Sequence, residues 1–275
     1  MAGKTCIVTG ATAGIGEALA RGLAEQHASV ALVGRDEARL RAVAKDCEEL
    51  GAPTVHTYRC DFAALDQVRD LADSLLGDLT RIDVLANNAG LVVQKRQETV
   101  DGHELVFQVN QLAPYLLTRL LLDRLVASAP ARIVWTASDS HEFGPLQTDD
   151  YMSTRGYKPL KAYGRSKLAN ILTTAELARR LEGTGVTANS FHPGFVSTSI
   201  GRDHVLGVVF LKLVRPFIKS PEQGADTGVH LASEDVAENG QYFYKRRVHA
   251  TKNDALDPAL GARLWDDCAA LVGLS

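Results

Sequence analysis

Cysteine is scarce in this chain, with four in 275 residues (Cys6, Cys47, Cys60 and Cys268), none spaced as C-x-x-C. The eight histidines form neither H-E-x-x-H nor another cluster with ligand spacing. A disulfide framework and a metal site are therefore unsupported. Charge of one sign is missing too. Thirty Lys and Arg against thirty-three Asp and Glu leave a formal charge of -3, with no basic block to track a phosphate backbone. Nucleic acid is thus not an expected partner. A long apolar run is also lacking: the longest, Val205 to Val214, is broken by Lys212 and falls short of the ~20 residues that cross a bilayer. A spanning helix is excluded on length, and two readings of this stretch stay open. It is either a lid over an apolar pocket, placed within 195–221, or a peripheral lipid contact over 205–218. No basic n-region and apolar h-region precede the first strand pattern, so secretion by that route is not expected and a reducing cytoplasm fits. Repeats, low-complexity tracts and linkers are absent as well. At 45% hydrophobic content, the chain can bury one large core, and a single domain over 1–275 is expected.

What is present is a rhythm. Residues 5–9, 29–33, 54–58, 82–86 and 132–136 read as short apolar strands, and 15–27, 36–50, 63–76 and 102–127 carry apolar residues at helical spacing between them. Farther on, 186–191 reads as a sixth strand and 240–244 as a seventh. This alternation predicts an α/β fold, a doubly wound parallel sheet of about seven strands (a Rossmann fold) with helices on both faces. Near-continuous apolar strands agree, because such a sheet is buried on both sides.

Directly after the first strand, Thr9-Gly10-Ala11-Thr12-Ala13-Gly14-Ile15-Gly16 opens a helix. Glycines let backbone approach a pyrophosphate closely, and the helix start offers unpaired N–H groups and the positive end of its dipole. The spacing is G-x-x-x-G-x-G, which differs from the common G-x-G-x-x-G fingerprint. Downstream, Tyr163 and Lys167 stand four apart in a helical pattern, so they share a face. A phenol titrates near ~10, and a neighbouring ammonium favours its ionised form, which would suit it to pass protons. By itself the pair is weak evidence and reads first as a solvated helix face.

These motifs in order, G-x-x-x-G-x-G, then Asn87-Asn88-Ala89-Gly90, then Tyr163-x-x-x-Lys167, resemble the short-chain dehydrogenase/reductase family over essentially the whole chain. Four stretches are similar to its retinol dehydrogenase-like branch: Arg132-Ile133-Val134, Ser166 to Leu172, Phe191-His192-Pro193-Gly194, and Arg263-Leu264-Trp265-Asp266. The resemblance implies an oxidoreductase that moves a hydride between a nicotinamide and an alcohol or carbonyl. It makes Tyr163 the acid/base, Lys167 the group that lowers the phenol's pKa and binds the nicotinamide ribose, and Ser138 the polariser of the substrate oxygen, with Ser140 a competitor. Asn110 becomes the fourth catalytic residue, bending its helix and holding a water that links Lys167 to solvent. For the cofactor it implies Gly10, Thr12, Gly14, Ile15 and Gly16 at the diphosphate, Asp61 and Phe62 at the adenine, Asn88 at the adenosine ribose, and Pro193, Gly194, Val196 and Thr198 at the nicotinamide and diphosphate.

In the family the acid that marks NAD use matches Gly34, and the Arg that marks NADP use matches Arg35. A guanidinium without the carboxylate favours NADP(H) over NAD(H). In the other reading, Arg35 is a solvated turn residue and Asp36 the ribose acid, although Asp36 also fits as the N-cap of the helix carrying Leu40 and Val43. Asp61 fits equally as a cap for a helix starting near Ala63, and His192 reads as structural. The insert between Ser138 and Tyr163, with Phe143, Tyr151, Met152 and Tyr157, would wall the substrate site opposite the lid, so a hydrophobic carbonyl or alcohol is the expected small-molecule partner. A homo-oligomer formed through the helices carrying Asn110 and Tyr163 is a further implication. The alternatives are a non-catalytic dinucleotide sensor or scaffold of the same fold, and a sugar-nucleotide epimerase or dehydratase.

Overall fold

The structure is a computed structural model and describes residues 1–195, 219–251 and 255–274. Strand β1 (Thr5–Thr9) leads into helix α1 (Gly14–Ala24), β2 (Ser29–Gly34) into α2 (Glu37–Glu49), and β3 (Val55–Arg59) into α3 (Leu65–Asp78). After β4 (Val84–Asn87) come a short α4 (Leu105–Phe107), a π turn (Gln108–Leu112) and α5 (Ala113–Ala127). Then follow β5 (Ala131–Thr136), a 3₁₀ helix (Asp139–Phe143), α6 (Pro159–Arg180) and β6 (Val186–Phe191). Beyond these lie α7 (Pro221–Ser233), β7 (Tyr242–Tyr244), β8 (Arg247–Val248) and α8 (Pro258–Leu271). The proposed lid of 195–221 and the apolar stretch of 205–218 fall almost wholly outside the described residues.

One sheet runs β3-β2-β1-β4-β5-β6-β7-β8. Its first seven strands are parallel, and β8 pairs antiparallel with β7. The doubly wound sheet is therefore as the alternation predicts, with one strand more. At two residues, β8 is too short to leave a period in the sequence. Alternate side chains of β1 serve opposite layers. Ile7 packs with α3, α5 and α6, whereas Cys6 and Val8 pack with α1, α2 and α7, as period-two geometry requires.

Three local departures have physical causes. β4 begins two residues late because Asp83 turns inward, where its buried carboxylate accepts from the Thr5 amide and from Lys4 Nζ, both at 2.9 Å. The helix expected over 102–127 starts at Leu105, capped by the buried Glu104 side chain, and is interrupted by the π turn. Asp61 does not cap α3: its side chain accepts from Ala63 N, while the Leu65 amide at the helix start bonds Asp101, 36 residues away. Asp36 does cap α2, accepting from Arg39 N at 3.1 Å.

Every residue of helix α6 from Gly164 to Ala178 is buried. Helix α8 packs on it, with Trp265 set edge-on against Tyr115 at 4.9 Å.

Candidate active site

The switch point of the sheet lies between β1 and β4, where successive crossovers leave in opposite directions and open a crevice at the strand ends. A cavity of about 740 Å³ occupies it and continues past the end of β5. Its floor on one side is the turn after β1, where Gly10 and Gly14 take positive φ (67° and 61°). Thr12 and Ile15 line the same wall. Gly16 sits behind this turn, and a Cβ there would stand 2.2 Å from the Gly10 carbonyl. Only glycine lets α1 start so close to the loop, which aims the helix N-terminus into the cavity.

Arg35 after β2, Asp61 and Phe62 after β3, Asn88 after β4, and Pro193 and Gly194 after β6 also line the cavity. Asn88 ties strands together: its Nδ2 donates to Thr9 O at 3.0 Å, and its Oδ1 accepts from Thr136 Oγ1 at 3.1 Å. Gly34 lies against Thr12, so that a Cβ at 34 would be 2.5 Å from Thr12 Cγ2. Space, glycine backbone and helix start together fit an extended dinucleotide. Val196 and Thr198 lie outside the described residues.

Ser138, Tyr163 and Lys167 line the same cavity. Ser138 follows β5 and caps the 3₁₀ helix, its Oγ accepting from Ser140 N at 3.1 Å. Ser140 thus contributes its amide to Ser138. Burial pushes the Tyr163 phenol up to about 12, opposed by a hydrogen bond from the Ser138 side chain. The Lys167 ammonium is itself buried, lies 5.6 Å from the centre of the Tyr163 ring, and is pushed down to about 7 by burial. Lys167 Nζ donates to Thr136 O at 2.8 Å and to Asn170 Oδ1 at 3.3 Å.

Asn110 sits in the π turn, a feature that recurs at functional sites, and does not itself line the cavity. Its Nδ2 donates to Leu91 O at 3.0 Å and to Ser166 Oγ at 2.9 Å, and its Oδ1 accepts from Leu91 N at 2.8 Å. Its main-chain carbonyl accepts from Asn170 Nδ2 at 2.8 Å. The side chain thereby clamps the loop after β4 onto α6.

His192 reads as structural in sequence, yet it lines the cavity. Its Nε2 stands 3.2 Å from Asp139 Oδ2, and its Nδ1 accepts from Asp139 N at 3.4 Å. Burial holds this imidazole below its usual range, opposed by Asp139. Around the mouth, Leu91, Val109, Phe143, Leu160 and Phe195 give an apolar lining. Leu160 escaped sequence reasoning, although it lies three residues before Tyr163, on the same helix face. Tyr151 and Met152 of the insert pack into the core instead, Tyr151 donating to Asp267 at 2.7 Å.

Among the described residues no helix is long and apolar enough to cross a membrane, and no cluster of His, Cys, Asp and Glu could hold a metal. A family model for short chain dehydrogenases matches residues 4–206. A Streptomyces sp. (strain C5) protein named for daunorubicin C-13 ketoreduction, DnrU, is 43% identical over 274 residues, covering 98% of this chain and 93% of its own. Human retinol dehydrogenase 13 is 41% identical over 286 residues, covering 99% and 85%. Among solved structures, the RhlG/NADP active-site complex of Pseudomonas aeruginosa superposes with a TM-score of 0.73 at 26% identity, covering 88% of this chain and 94% of that one.

Proposed function

We propose that this chain, which belongs to the short-chain dehydrogenase/reductase family and is an oxidoreductase of alcohol or carbonyl groups using a nicotinamide cofactor, works with NADP(H) through Tyr163. The observation that carries the reading is that Ser138, Tyr163 and Lys167 line the same cavity as the glycine turn. A bound nicotinamide supplies the hydride. Tyr163, held neutral by burial, gives its proton to the carbonyl oxygen as the carbon is reduced. Ser138 is fixed by the Ser140 amide, so its hydroxyl is ready to hydrogen-bond the oxygen where charge develops. In the oxidative direction the same phenol oxygen takes the proton back.

Arg35 faces the cavity where Gly34 offers no carboxylate, an arrangement that favours a 2'-phosphate over a free ribose hydroxyl. The apolar lining suits a bulky hydrophobic carbonyl or alcohol, and two relatives are named for such compounds, daunorubicin and retinol. Four free, buried cysteines fit a reducing compartment, the cytoplasm.

The test is a panel of hydrophobic ketones and aldehydes with NADPH and NADH, followed by nicotinamide absorbance. Turnover with NADPH is expected, and Tyr163→Phe should cut kcat by roughly 100-fold or more with NADPH affinity unchanged. Retained turnover in that variant refutes the acid/base role. Cofactor binding without turnover of any carbonyl or alcohol would favour a sensor.

A further inference from the structure

Asn170 lies three residues after Lys167 on α6, fully buried, and none of the roles given above falls to it. Its surroundings fix which way its amide points. The Asn110 carbonyl, turned toward α6 in the π turn, can only accept, so the group 2.8 Å away must be the NH₂ of Asn170. The same nitrogen donates to Gln111 Oε1 at 2.9 Å, and Gln111 is held in turn through Thr173 Oγ1 at 2.7 Å. The oxygen of Asn170 is then left facing Lys167 Nζ, at 3.3 Å. With Thr136 O, it engages two of the three ammonium N–H bonds, and Lys167 keeps its place on the cavity wall.

This chain of contacts cannot be a proton wire. Amides do not titrate, and Asn170, Gln111 and Thr173 are all 0% exposed, so the line leads into the core. Its chemistry is that of a clamp, a locked carbonyl dipole aimed at a buried cation. We propose that Asn170 is a positioning residue of the hydride-transfer site, holding Lys167 as an ammonium at the cavity wall through an amide oriented by the π-turn carbonyl of Asn110. The inference rests on the roles given above to Tyr163 and Lys167. A buried ammonium depends on each acceptor it has, and burial already pulls Lys167 down. The titratable side chains nearby are few. Tyr163 lies on the same helix, Asp139 is engaged by Tyr242 and His192, and Cys268 accepts from Gln111.

The sign follows directly. An acceptor favours the charged form of a lysine, so removing it makes the proton leave at lower pH. Asn170→Leu keeps approximate volume and loses the acceptor, and Asn170→Asp places a negative charge beside the ammonium. The readouts are the NADPH dissociation constant, from nicotinamide fluorescence between pH 5.5 and 8.5, and the pH profile of kcat/KM. In Asn170→Leu, the alkaline loss of NADPH affinity and of kcat/KM should move down by about one pH unit. In Asn170→Asp, both should move up by a similar amount. Unmoved limbs in a folded variant, even with a lower kcat, would make Asn170 a core-filling amide and overturn the proposal. If Asn170→Leu does not fold, Asn170→Asp decides alone. Shifted NADPH binding in a protein that reduces no carbonyl would uphold the clamp while refuting the proposed reaction.

Discussion

At Gly34, steric space and charge bear on cofactor choice together. A carboxylate at this position would serve a free adenosine ribose, but its Cβ would meet Thr12 Cγ2 at 2.5 Å. Gly34→Asp alone should therefore weaken both cofactors, and only Gly34→Asp with Thr12→Ala, which removes the obstructing methyl, should gain NADH use. Arg35→Ala tests the charge separately: kcat/KM with NADPH is expected to fall roughly tenfold, a low value for a charge-assisted bond because the side chain is exposed. The NADH value should hold. Steady-state kinetics with both cofactors checks the set, and an equal loss with both in Arg35→Ala would remove that residue from the 2'-phosphate. The sequence makes Arg35 a candidate, because residue type and position after β2 suffice to say so. It is silent on Thr12 as the neighbour that closes off an acid at 34, since a contact across two loops leaves no pattern.

Helix α6 and the 3₁₀ helix after β5 meet backbone to backbone, and this contact sets Tyr163 against Ser138. A Cβ on Gly164 would stand 2.3 Å from the Ser140 carbonyl, and one on Gly144 would stand 2.1 Å from the Arg165 amide. Neither glycine needs a special φ; each is needed for close approach. Gly164→Ala must push the elements apart, an overpacking that costs about 1–3 kcal/mol and separates the serine from the phenol. The expected result is a kcat loss of tenfold or more, with a modest fall in Tm and with NADPH affinity kept, because the glycine turn lies elsewhere. Calorimetry beside single-turnover kinetics distinguishes this from general unfolding; wild-type kcat in Gly164→Ala would show that the contact does not position the pair. Elements that depend on local pattern were legible in the sequence: β1, β6 and α2 with its Asp36 cap follow from periodicity and capping chemistry. The π turn was not, because its apolar spacing reads as ordinary helix and only Asn110, a poor helix former, marks it.

At the scale of the whole molecule, the last helix packs on the one that carries Tyr163 and Lys167. Helix α8 lies along α6, its Gly261 packed near Leu172 O and the Arg179 guanidinium. Trp265 is flanked by Arg119 at 5.2 Å and Arg180 at 4.9 Å from its ring centre. Tyr115 donates to the Trp265 carbonyl at 2.9 Å, and Tyr151 of the insert holds Asp267. Helix α6 is thus covered from Gly164 to Ala178, whereas α5 keeps an exposed face at Asp123 and Val126. The Arg263-Leu264-Trp265-Asp266 stretch marked the family branch in sequence, but only the fold shows which surface it occupies. Light scattering after size exclusion, read against the chain mass of 29.6 kDa, tests the expected homo-oligomer, whose interface would lie outside the buried stretch Gly164–Ala178. Trp265→Ala removes the centre of the α6–α8 contact and should cost about 3–5 kcal/mol, read as a lower Tm. Because α6 carries both Tyr163 and Lys167, kcat should fall in the same variant well below its melting range. Full activity with a lowered Tm would instead mean that α8 stabilises α6 without steadying the residues it presents to the cavity.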